Sequence, residues 1–318
     1  MLARLVLASS LALSAAAQSP VEAEPPATSL SFYVAGHQDD WQLFRGNAAA
    51  ADLATPGARV VFIYATAGDA GRTDGWWEAR ERGAIEAVRA VTGPAPVTLD
   101  VAQMNGHPIV RATVQNSASY FLRLPDGRWR HGDGYPATGN ESLSQLRDAG
   151  KPVSAIDGST TYTSWADFWQ TLRAVLDHER SRAPGVAHPW VQAPDYAGAD
   201  NADAACNAGD SCNPCDHPDH KAVGDALRQF VGGTYNRVWW VGYDSQTRPE
   251  NLDVGPFLAK GRTFFGYAAA VERETALSGD PAAPDLGEWR SWGARDYVRS
   301  VPWDQPDTDA PVCTVASE

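Results

Sequence analysis

The chain has 318 residues, of which 43% are hydrophobic and 20% charged, and it carries a formal net charge of −13. That length and apolar share are enough to bury a substantial core, which excludes a wholly disordered chain. The negative charge repels phosphate backbones and anionic lipid surfaces at long range, so general binding to nucleic acid or to a membrane surface is excluded as well.

Met1 to Ala17, MLARLVLASSLALSAAA, sets one arginine ahead of an apolar stretch that ends in small residues, the pattern of a secretory signal peptide. The apolar stretch is shorter than the roughly 20 residues a spanning helix needs, and no cysteine stands just after the expected cleavage point. Export to the periplasm or the medium, without a stable membrane anchor, is expected. Residues 18–28, QSPVEAEPPAT, lack apolar periodicity and read as a flexible leader.

From Leu30 onward LSFYVAG reads as a buried strand, followed by a helix from Trp41. ARVVFIYAT is a second near-continuous apolar run, then come the turn-rich AGDAGRTDG and the helical WWEARERGAIEAVRAV. Residues 101–160 are less regular, and LRLPDGRWRHGDGYP in particular predicts hairpins and long loops over one end of a sheet. Further on, VAHPWVQAP and YNRVWWVGYDS read as strands, and YTSWADFWQTLRAVLDHER, HPDHKAVGDALRQFV and VGPFLAKGRTFFGYAAAVERE as helices. This alternation predicts an α/β fold, a parallel sheet with crossover helices. One domain over residues 29–276 is expected, with residues 277–318 as an irregular extension packed on it. Cys206, Cys212, Cys215 and Cys313 predict two disulfides in an oxidising compartment, with three pairings possible. A zinc knuckle built on CNPC lacks the second pair of ligands it would need.

Two clusters carry chemistry. In GHQDDWQLF, His37 and Asp40 are three apart, so at the start of a helix both lean toward one locus while Asp39 points elsewhere. A plain helix cap by either acid, worth about 1 kcal/mol, is the competing explanation. In CDHPDHKAVG, His217 and His220 are again three apart, and Asp216 and Asp219 stand beside them as caps or as hydrogen-bond partners. Three of the seven histidines therefore sit in two acid-flanked clusters; His107, His131, His178 and His188 read as surface or satisfied core residues. Two histidines and one carboxylate, with water in the fourth position, make a zinc site.

GHQDDWQLF resembles the AHPDDE signature of the PIG-L (LmbE-like) family of zinc-dependent N-acetylglucosaminyl deacetylases, and DHPDHKAVG is similar to that family's HPDH motif opening a helix. TAGDAGR and the helix bearing Arg80 resemble the segment between the two. The resemblance runs from about Leu30 to the helix around Tyr267. It implies a Rossmann-like three-layer fold, with a mainly parallel sheet, helices on both faces and long active-site loops at the C-terminal ends of the strands. It also implies that His37, Asp40 and His220 hold Zn²⁺, that Asp39 is the general base, and that His217 polarises or protonates. Arg80 and Asp69 fall where the family contacts its sugar; an ion pair of Arg80 with Glu78 or Glu81 and a turn role for Asp69 are the structural alternatives. The implied substrate is an N-acetylated sugar or glycoconjugate, and no protein partner is implied.

Gln38 replaces the family's proline and Trp41 the acid after the two aspartates. With Trp76 and Trp77, Trp41 reads as a sugar-stacking surface. The rival reading is a non-catalytic secreted protein that binds carbohydrate or zinc, which would have no use for Asp39 as a base. A dinuclear phosphate-ester hydrolase would need more ligands than these clusters supply.

Overall fold

The computed structural model describes residues 26–129, 132–197, 215–277 and 286–307. The expected signal peptide, most of the leader, His131, Cys206, Cys212 and Cys313 lie outside the described residues, and so does the expected disulfide pairing; Cys215 is described and buried.

In chain order the elements are β1 (Ser29–Ala35), α1 (Asp40–Ala54), β2 (Ala58–Thr66), α2 (Trp76–Thr92), β3 (Thr98–Met104), β4 (His107–Val114) and β5 (Ser117–Leu124). There follow α3 (Leu143–Asp148), the short pair β6 (Val153–Ser154) and β7 (Thr161–Tyr162), α4 (Trp165–Ser181), β8 (Trp190–Pro194) and α5 (Pro218–Arg228). The chain continues through β9 (Asn236–Trp240), α6 (Val254–Leu277), α7 (Leu286–Trp292) and β10 (Val298–Val301).

Eight strands form one sheet in the order β10-β9-β8-β1-β2-β5-β4-β3. The five from β9 to β5 are parallel, and antiparallel strands close both edges. Because successive side chains on a strand point to opposite faces, Phe32 and Val34 of β1 join a core with α3, α4 and α5, while Tyr33 and Ala35 join a second core with α1, α2 and α6. Two cores on one sheet make the three-layer α/β Rossmann-like architecture. This two-sided burial explains why β1 and β2 are apolar almost throughout.

Two expectations are corrected. Residues 101–160 were expected to be less regular, yet the part up to Leu124 belongs to three strands of the main sheet, β3 to β5. The strand β3 is an edge whose Leu99 and Val101 face outward, so its pattern does not mark a buried strand. The extension read as irregular contains α7 and β10, and β10 pairs antiparallel with β9. Lys260 of α6 ties this segment down by donating to the carbonyls of Trp292 and Arg295, and Arg45 of α1 grips Asp296 with two bonds of 2.6 Å. Among the described residues no helix is long and apolar enough to cross a membrane.

The strand order reverses at β1: the chain moves to β2 on one side and later returns to β8 on the other. At such a switch point the loops beyond the strand ends diverge and leave a crevice. The GHQDD segment occupies it.

Candidate metal centre

His37 leaves the end of β1, and Asp40 begins α1 three residues later. Asp40 Oδ2 accepts the backbone N–H of His37 at 2.8 Å, which holds the turn and aims Oδ1 inward. His220 enters from α5, whose first turn starts at Pro218 with His217 as its cap. Gly36 permits the approach, because a Cβ there would stand 2.9 Å from the His220 ring.

Three atoms converge. His37 Nδ1 lies 3.2 Å from His220 Nε2 and 3.3 Å from Asp40 Oδ1, and His220 Nε2 lies 3.1 Å from Asp40 Oδ1. Ligands of a tetrahedral zinc at about 2.0–2.1 Å stand about 3.3–3.4 Å apart, so this near-equilateral triangle fits one ion. All three side chains are buried, at 5%, 2% and 0% exposure.

The outer hydrogen bonds set the tautomers. Asp216 Oδ1 lies 2.9 Å from His220 Nδ1, and Asp126 Oδ1 lies 3.1 Å from His37 Nε2. A carboxylate only accepts, so each imidazole places a proton there and turns its other nitrogen toward the triangle, where it would offer its lone pair to a bound cation. Burial opposes charge on His220, but Asp40 and Asp216 outweigh it and lift its pKa to about 10. The field at this point favours a cation. Asp40 is likewise held well below the usual carboxylate range, since His220 and His37 overcome the cost of its burial.

His37, Asp126, His217 and Asp219 form a second group of potential ligands. Its closest approaches to Asp219 Oδ2 are 3.7 Å from His37 and 3.8 Å from His217, and several of its atoms are already engaged. His217 Nδ1 accepts the backbone N–H of Asp219 at 3.2 Å, and Asp219 Oδ2 accepts that of Gly127 at 2.8 Å. This is a hydrogen-bonded surround for the triangle. Burial, followed by the neighbouring His37, pushes His217 down to about 4 and keeps it neutral. With Nδ1 accepting, its proton sits on Nε2.

Asp39 caps α1 without a side-chain cap bond and is not among the triangle atoms. It pairs with Arg80 of α2, which also donates to the Gly68 carbonyl at 3.1 Å. Gly68, at φ +57°, is required here, because a Cβ would stand 2.9 Å from the guanidinium carbon. Neither surface ion pair considered for Arg80 forms; Glu81 pairs with Arg123 instead. Asp69 is fully buried and accepts from the backbone of Gly71 and Asp126, both at 2.8 Å, so it shapes the two loops rather than facing an opening.

Trp41 is corrected. It is wholly buried against Phe62 and donates to the Tyr64 hydroxyl at 2.8 Å, because the residue after Asp40 is rotated about 100° around the helix, toward the sheet. Trp76 and Trp77 carry arginines on their faces, Arg72 at 4.5 Å and Arg123 at 4.8 Å. Gln38 is buried, and its amide donates to the Thr66 carbonyl at 2.9 Å, a tie to the end of β2. Asp126 is the site residue that sequence reasoning missed; the PDG turn of its loop was its only signal.

No family model and no curated protein matches the chain. Among solved structures, it is similar to N,N'-diacetylchitobiose deacetylase from Pyrococcus horikoshii at 14% identity and TM-score 0.41, covering 86% of this chain and 84% of that one. It is also similar to the A40926 pseudoaglycone deacetylase, at 13% identity and TM-score 0.40, covering 91% and 98%. A conserved protein from Thermus thermophilus matches at 18% identity and TM-score 0.37, again covering 91% and 98%.

Proposed function

We propose that this protein is an exported, zinc-dependent hydrolase of the PIG-L (LmbE-like) type that removes the acetyl group from an N-acetylglucosamine-type amino sugar or its conjugate. The observation that carries the reading is the triangle of His37 Nδ1, Asp40 Oδ1 and His220 Nε2, with an acid next in sequence to a ligand yet outside the triangle. Zn²⁺ held there supplies Lewis-acid polarisation of the acetyl carbonyl and acidifies a water.

The chain's own groups do the rest. Asp39, held by Arg80, takes a proton as water adds to the amide carbon, and passes one to the departing amine. The C–N bond breaks and acetate leaves. Arg80 keeps the Asp39 carboxylate oriented. His217 offers its Nε2–H to the developing oxyanion, and removing such a donor typically costs about 3 kcal/mol. The surrounding buried acids fix these groups before substrate arrives.

The test is acetate release from N-acetylated amino sugars by the purified protein. Chelation should abolish release and zinc restore it, while Asp39→Ala should keep stoichiometric zinc and lose at least a hundredfold in turnover. Parent-like turnover in Asp39→Ala would remove the base assignment. Zinc-independent acetate release would remove the metal mechanism.

A further inference from the structure

Beside the triangle of candidate ligands lie two aromatic rings, Tyr243 and Trp129, that the chemistry above does not use. The Tyr243 ring stands 5.1 Å from the His220 ring and 5.9 Å from that of His217, and Trp129 lies 5.8 Å beyond Tyr243, tilted by 45°. Trp129 is 42% exposed. It follows Asp126 closely on the same loop, so the residue that orients His37 and the exposed indole are delivered together.

Tyr243 is braced from behind. Trp292, the last residue of α7, stacks on it at 5.0 Å and 19° and donates from Nε1 to its backbone carbonyl at 3.1 Å. The backbone N–H of Tyr243 donates to Asp216, the partner of His220. Tyr243 is therefore fixed to the site, and Trp129 lies against it, part-exposed, one ring farther out.

We infer that Tyr243 and Trp129 form a subsite for a neutral glycan longer than one sugar, Tyr243 flanking the ring whose acetamide is hydrolysed and Trp129 stacking on the next ring. This rests on the deacetylase reading and names the substrate class. Aromatic faces match the apolar faces of pyranoses while leaving ring hydroxyls to water. Polyanionic glycans are disfavoured: Arg128, the cation next to Trp129, is taken by Asp133, and the chain as a whole is strongly acidic.

The experiment compares KM for N-acetylglucosamine with KM for its β-1,4-linked trimer in the zinc-loaded parent, Trp129→Ala and Trp129→Phe. Trp129→Ala should raise KM for the trimer about tenfold, and for the monomer much less; Trp129→Phe should restore part of the preference. A trimer-to-monomer KM ratio equal in parent and Trp129→Ala overturns the subsite. Calorimetric titration with the same two sugars separates the two proposals. If neither sugar is turned over but the trimer binds the parent and not Trp129→Ala, the subsite stands and the deacetylase reading falls. If the trimer does not bind the parent, the subsite falls.

Discussion

Asp126 reaches His37 from a loop 89 positions along the chain, and does for that imidazole what Asp216 does for His220. Both acids would decide which ring nitrogen is free for a metal. Asp126→Asn preserves size but lets the side chain present N–H to the imidazole, so zinc affinity should fall about 10- to 100-fold, as measured by competition with a chromophoric chelator. Unchanged affinity would show that the carboxylate does not set the tautomer. The paired clusters were legible because each repeats within one helical turn. Asp126 was not, because its approach depends on how a loop closes in three dimensions. Trp41 was misread for the converse reason, since adjacency in sequence to a ligand does not mean facing it.

Lys260 of α6 is fully buried and donates to the last carbonyls of α7 and the turn after it. Burial pushes its pKa down to about 7, against the pull of Asp296 and with the help of Arg45 and Arg295. An unfolded lysine titrates near 10.4, so between about pH 7 and 10 the unfolded chain binds the extra proton and stability contributed at this position rises with pH, by up to about 1.4 kcal/mol per unit. Lys260→Met should lose that rise. Denaturant midpoints at pH 7 and 9 test it, the expected outcome being a parent-minus-variant difference that grows with pH. The long helices were legible from amphipathic spacing, and β1 and β2 from unbroken apolar runs. By contrast, β10 is four residues long, and β3 exposes Leu99 and Val101, so neither has a pattern of its own. Their order comes from pairing with β9 and β4.

At the scale of the molecule, a metal at the triangle ties the end of β1 to α5 across the switch point of the sheet. Binding to the folded state alone stabilises by about 2.7 kcal/mol at a hundredfold excess over Kd, which for a chain of this size is a rise of several degrees in Tm. Zinc should therefore raise Tm and a chelator return it; equal midpoints in both would mean the ion does not bridge the two elements. The α/β class and the position of the site were legible because alternating strands and helices leave few topologies. The edges of the sheet were not, because tertiary pairing decides them.

His37 and His220 are separated by 183 positions, and neither half of the triangle can hold an ion tightly alone. A fragment ending before α5 carries His37 and Asp40 but lacks the third donor, His220. It follows that an ion at this site would find all three donors only once α5 has joined the end of β1, so its loading would report that the two distant segments have come together.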